Sequence, residues 1–133
     1  MYLLDTNVVS ELRRAKPHGA VIAWLRAVPE REIFLSAMSI FELQAGVELA
    51  RMQDTQKAAQ IEAWIDTLMD SFAVLPADGA VFRRAATLLH GHSDDLFEDA
   101  LIAATALENQ LTVATRNVRD FVHFGVTTMN PFQ

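Results

Sequence analysis

The sequence predicts a three-layer α/β domain, with a mainly parallel central sheet of four to five strands covered by helices on both faces. Three observations carry that prediction. Short apolar or β-branched runs recur along the chain, segments with apolar residues at helical spacing lie between most of them, and no linker, repeat or low-complexity stretch interrupts the order. Residues 1–133 are therefore read as one domain, at a length that buries a self-sufficient core.

Taken in order, Tyr2-Leu3-Leu4 is a short apolar strand and Asp5-Thr6-Asn7 a polar turn behind it. Residues 8–14 read as a helical segment ending before Pro17, and residues 19–28 as a second, closed by Pro29. Ile33-Phe34-Leu35 is the next strand. Residues 39–52 place Ile40, Leu43, Val47 and Ala50 at helical spacing, and residues 55–70 repeat the pattern with Ile61, Trp64, Ile65 and Leu68. Phe72-Ala73-Val74-Leu75 is a strand stopped by Pro76. Residues 78–90 read as a helix with Gly91 as its cap, and residues 95–109 as another, rich in alanine and leucine. Leu111-Thr112-Val113-Ala114 and Val126-Thr127-Thr128 complete the strands. Trp24 and Trp64 are read as core.

Composition narrows the function classes. Cysteine is absent, which excludes disulfides, thiolate metal sites and cysteine nucleophiles. No apolar run approaches the ~20 residues of a membrane span, and Asp5 interrupts any signal-peptide core, so a soluble, cytoplasmic protein is expected. The net charge of −6, from 17 acids against 11 bases, opposes a polyanion as a whole-molecule field but not a divalent cation.

In open α/β sheets, ligands sit beyond the carboxyl ends of the strands. Four places there carry polar side chains: Asp5, Glu42, Asp99 and the run Thr115-Arg116-Asn117. Carboxylates brought together from such distant positions repel one another, and a cation is what neutralises them. Oxygen donors without sulfur or histidine suit Mg²⁺ or Mn²⁺. Each acid also has a local explanation. Asp5 can cap the helix behind it, Ser39-Ile40-Phe41-Glu42 matches a capping box, and Asp95-Leu96-Phe97-Glu98 matches another. Asp99 has none: it heads the apolar run Ala100-Leu101-Ile102-Ala103-Ala104 and needs solvent or a partner. His90 and His92 flank Gly91 and read as a helix end, while His18 and His123 are isolated.

These residues fall into an ordered set. Leu3-Leu4-Asp5-Thr6-Asn7-Val8-Val9-Ser10-Glu11, then Leu35-Ser36-Ala37 with Phe41-Glu42-Leu43 and Gly46, then Asp99 with Ile102-Ala103-Ala104-Thr105-Ala106, then Val113-Ala114-Thr115-Arg116-Asn117 through Asp120-Phe121 follow one another along the chain. The set, with the ending Asn130-Pro131-Phe132, resembles the PIN-domain ribonucleases, and within them the FitB-like VapC toxins of toxin–antitoxin pairs. The resemblance implies a metal-dependent endoribonuclease that leaves 5′-phosphate and 3′-hydroxyl ends. It makes Asp5, Glu42 and Asp99 ligands of Mg²⁺ (or Mn²⁺), and Thr6, Asn7, Ser36 and Thr115 groups that orient those carboxylates. The family's fourth acid stands where this chain has Asn117, which is expected nearest the site, with Asp120 as the alternative. Arg13, Arg14, Lys16, Arg116 and Arg119 are the candidate contacts to RNA phosphates.

The same resemblance implies a VapB-type antitoxin covering the site, and a homodimer. The helices over residues 47–68 would supply the apolar docking groove and dimer surface. The loss of an acid at Asn117 leaves a second reading open, a catalytically weak or inactive PIN fold that only binds RNA or antitoxin. A receiver-like phosphotransfer domain is disfavoured, because no lysine follows Lys57.

Overall fold

A computed structural model describes all 133 residues. Five parallel strands form the sheet: β1 (Tyr2–Leu4), β2 (Ile33–Ser36), β3 (Ala73–Leu75), β4 (Thr112–Ala114) and β5 (Thr128–Met129), in the spatial order β3-β2-β1-β4-β5. The chain steps outward from β1 through β2 to β3, then returns to lay β4 on the other side of β1. Strand order therefore reverses between β1 and β4, which opens a crevice at their carboxyl ends. Asp5 and Thr115 are the residues that immediately follow those two strands.

Seven helices join the strands: α1 (Thr6–Glu11), α2 (Gly19–Ala27), α3 (Ala37–Arg51), α4 (Thr55–Ser71), α5 (Gly79–Leu89), α6 (Phe97–Glu108) and α7 (Val118–Val122). Side chains alternate across a strand, so the sheet builds two cores. Leu4, Ile33, Leu35 and Ala114 pack with Val8 and Val9 of α1, Val21 of α2 and Leu68 of α4. Leu3 and Val113 face the other way, against Val81 and Ala85 of α5 and the length of α6. The α3–α4 pair closes a third, smaller cluster around Val47, Ala58 and Ile65. Trp24 and Trp64 both border the first of these cores, as expected.

Every residue of α6 from Ala100 to Ala106 is buried. A helix apolar all round has no solvent face, and its alanines let the sheet and α5 approach closely. That burial explains why Asp99, one residue earlier, stands at the mouth of the core and not in open solvent.

Six local expectations need correction. The first helix spans Thr6–Glu11, earlier than residues 8–14, because Asp5 accepts the Thr6 N–H and starts it at once. The third begins at Ala37 because the Ser36 hydroxyl, at the strand end, accepts the Met38 N–H at 3.0 Å. Ser39 is therefore inside α3, and no capping box joins it to Glu42. Nor does one join Asp95 to Glu98: Ser93 caps a 3₁₀ turn over Asp94–Leu96, and α6 follows without a side-chain cap. The last strand lies at Thr128–Met129, sharing only Thr128 with the expected run at 126–128, and α7 was not foreseen. Five residues are too few for periodicity to register.

Gly91 does follow its helix as expected, with φ of +84°, the left-handed turn that glycine accepts without strain. No helix is long and apolar enough to cross a membrane.

The short helix α7 is held down by Phe121, which is fully buried against α6 and Phe124. Truncating Phe121 to Ala should cost about 3–5 kcal/mol of unfolding free energy, read as a lowered denaturant midpoint.

Candidate active site

The site is assembled around Asp5. Its backbone N–H donates to the Ala114 carbonyl at 2.9 Å, which ties the end of β1 to β4. Its carboxylate is buried and fully engaged: Oδ1 accepts from Thr6 N at 2.8 Å, and Oδ2 from Asn7 Nδ2 at 2.9 Å and Thr115 Oγ1 at 2.7 Å. The helix-cap role and the site role thus coexist in one carboxylate, one oxygen serving mainly the backbone and the other the side chains.

Glu42 reaches the same place from α3. Thr6 Oγ1 donates to Glu42 Oε1 at 2.9 Å, and the same oxygen lies 2.9 Å from Ser39 Oγ. A hydroxyl carries one proton, so with Thr6 donating to Glu42 the buried Ser39 donates to Thr6. Asp99, in the first turn of α6, stands half-buried beside these groups.

Electrostatics shows how closely the acids crowd. Asp99 is pushed up to about 7, first by burial and then by the carboxylates of Asp5, Asp120, Glu42 and Glu98. Burial also raises Asp5 despite its three hydrogen bonds, and Asp120 adds to the rise. Glu42 is raised by burial, with Asp5 and Glu98 contributing, while the Thr6 hydroxyl opposes it. Acids from β1, α3, α6 and α7 therefore share one negative field.

Of the two residues considered for the fourth position, Asp120 enters this field. Asn117 is exposed at the start of α7 and makes no side-chain cap, while its backbone N–H donates to Thr115 Oγ1 at 2.9 Å. Asp120 lies a turn further on, where it couples to both Asp5 and Asp99. Sequence reasoning missed two participants, Ser39 and Glu98, both absorbed into capping boxes that do not form. A signal for Ser39 was present in the spacing Ser36, Ser39, one helical turn apart. Ser36 itself spends its hydroxyl on the start of α3 and not on a carboxylate.

The basic residues divide. Arg14 pairs with the buried Glu11 at 3.3 Å, and Arg13 lines a groove with Leu12, Lys57 and Trp64 against α4. Neither they nor Lys16 form an ion pair with the acidic cluster. Arg116 and Arg119 instead line a groove of about 530 Å³ with Asn117, Asp120, Asn130 and Gln133.

The donor set fits a hard divalent cation, being carboxylate oxygens whose mutual repulsion a positive charge relieves. As they stand, no three acidic or histidine side chains are gathered tightly enough to grip an ion.

The family model described as PIN domain matches residues 2–126 of this chain. The chain belongs to the PIN domain family. Among the PIN proteins it is 35% identical to Toxin FitB of Neisseria gonorrhoeae, over 99% of both chains. It is 34% identical to VapC ribonuclease Y4jK of Sinorhizobium fredii, over 100% of this chain and 99% of that one. The crystal structure of FitAcB from Neisseria gonorrhoeae superposes with a TM-score of 0.87 at 34% identity, covering 100% of this chain and 99% of that one.

A stability test follows from the crowding. Unfolded, Asp99 titrates near 3.8, and in the fold near 7. Between those values the unfolded chain holds fewer protons than the folded one, so stability falls as pH rises and the loss is complete above about 7. Asp99→Asn should therefore stabilise the protein in EDTA at pH about 8 and leave it unchanged at pH about 4. After discounting for a half-exposed group the gain is about 1–2 kcal/mol, or about 3–6 °C by differential scanning calorimetry.

Proposed function

We propose that this chain is a metal-dependent endoribonuclease and the toxin of a type II toxin–antitoxin pair. One observation carries the reading: five carboxylates, Asp5 after β1, Glu42 of α3, Glu98 and Asp99 of α6 and Asp120 of α7, share a single field at the crevice where strand order reverses. The names of its relatives, a toxin and a ribonuclease spanning the whole chain, support the same conclusion.

Asp5, Glu42 and Asp99 would hold Mg²⁺ or Mn²⁺, with Asp120 as the fourth acid. Such an ion, when bound, lowers the pKa of water to supply a nucleophile and steadies the oxygen that leaves. The chain's own residues do the rest. Thr6, Asn7 and Thr115 fix the carboxylates of Asp5 and Glu42, so the ligand oxygens are set before substrate arrives. Arg116 and Arg119 supply local positive charge beside the acids, where a phosphodiester strand would otherwise be repelled. Because Asp120 contributes the charge that Asn117 lacks, the substitution at Asn117 does not favour an inactive binding module.

A ribonuclease of this kind must be restrained in the cell that makes it, and a VapB-type antitoxin that covers the acidic site is the partner we propose. Phe41, Leu49 and Met52 leave a stripe of exposed apolar side chains along α3 and its end, suited to a second copy of the chain or to the antitoxin.

Cleavage of structured and single-stranded RNAs by the antitoxin-free protein tests the reading. Cutting should require Mg²⁺ or Mn²⁺, stop in EDTA, and fall by about a hundredfold or more in Asp99→Asn. Cutting that survives EDTA or the substitution would remove the acidic centre from the mechanism. Absence of cutting by a folded protein would return the assignment to a binding module.

A further inference from the structure

One arrangement beside the acidic centre is not needed to hold a cation. The Arg116 guanidinium carbon sits 3.9 Å from the centroid of the Phe132 ring. Its backbone N–H meets Asn7 Oδ1 at 3.3 Å, and the amide of Asn7 in turn donates to Asp5. Phe132 is fixed as well. Its N–H donates to Asn130 Oδ1 at 2.9 Å, its ring meets His18 edge-on at 5.2 Å, and it packs partly buried on the core.

Here the guanidinium carbon lies over an aromatic ring. That ring covers one face, and Arg116 is otherwise exposed and lines the groove with Asn117, Asn130 and Gln133. Planar guanidinium faces stack on nucleobases, and side-chain amides pair with base edges.

We propose that Arg116, seated over Phe132, is a stacking platform for one unpaired base of the RNA, the nucleotide lying beside the phosphate presented to the acidic centre. The inference rests on the ribonuclease reading and adds to it a residue that selects for an unpaired base at that position. A base inside a duplex has both faces covered by its neighbours and offers none to the platform.

Binding of a short unstructured RNA and of the same sequence in a duplex, by fluorescence anisotropy in Mg²⁺ with Asp99→Asn to block cleavage, tests it. Arg116→Lys keeps the charge and loses the plane; Phe132→Leu keeps the apolar volume and loses the ring. Both should weaken single-strand binding on the order of tenfold and change duplex binding by less than about twofold. Arg116→Lys is the deciding variant should Phe132→Leu unfold, and its salt dependence should stay that of the parent. An abasic scan of the oligonucleotide should find one position that reproduces the loss and does not add to Arg116→Lys. Equal losses on both RNAs, no loss, or no such abasic position would leave Arg116 a phosphate contact only and overturn the platform. Failure of the unsubstituted chain to cleave or bind any RNA would instead remove the ribonuclease reading beneath it.

Discussion

A carboxylate buried at the end of the central strand is the constraint on which this molecule turns. Asp5 cannot be dehydrated cheaply, and the fold answers with three donors from two directions, the start of α1 and the hydroxyl that follows β4. One of those donors, the Thr115 hydroxyl, also ties the end of β1 to the end of β4. Satisfying Asp5 and closing the crevice are one act, and Thr115, 110 residues away in sequence, takes part in both.

The same frame forces the other acids together. Glu42 is drawn in through the Thr6 hydroxyl, Asp99 by an α6 that has no solvent face, and Asp120 by the burial of Phe121 next to it. Each position is set by packing or by a neutral hydrogen bond, never by an ion pair with a basic residue. No basic residue pairs with the cluster, and burial first, then the neighbouring carboxylates, raise Asp99. On the proposed reading, the cluster is the seat of a cation that brings its own charge.

Most of the architecture was legible because apolar strand runs and helical spacing are long-range, repeated signals. The acids were legible for a different reason: Asp5 directly follows a strand, and Asp99 heads an apolar run that gives it no local excuse. What misled was local pattern. Ser39 with Glu42, and Asp95 with Glu98, satisfy the spacing of a capping box, but Ser36 and Ser93 reach the backbone first and start their helices earlier. A cap pattern says that a helix can begin somewhere, and the residue at the preceding strand end or bend decides where. Asn117 and Asp120 are harder to separate by sequence: Asn117 immediately precedes α7 and Asp120 lies within it, and the Asp120 carboxylate acts electrostatically on Asp5 and Asp99.

Hydrogen bonds and stacked rings run outward from Asp5 as well as inward. Asn7 bonds Asp5 with its nitrogen and the Arg116 backbone with its oxygen; Arg116 lies on Phe132; Phe132 meets His18, whose N–H donates to the buried Glu11 at 2.9 Å. Glu11 also holds Arg14. The two basic segments that flank the site, after α1 and after β4, are thereby tied to one aromatic ring near the chain's end. Phosphate-binding side chains on flexible stems could serve any polyanion. Side chains keyed to the position of Asp5 present their charge and planes at a fixed offset from the acidic centre. On the proposed reading, in a protein whose net charge works against nucleic acid, that fixed offset would turn local attraction into register, and register is what a hydrolytic centre needs to meet one bond of a strand and not its neighbour.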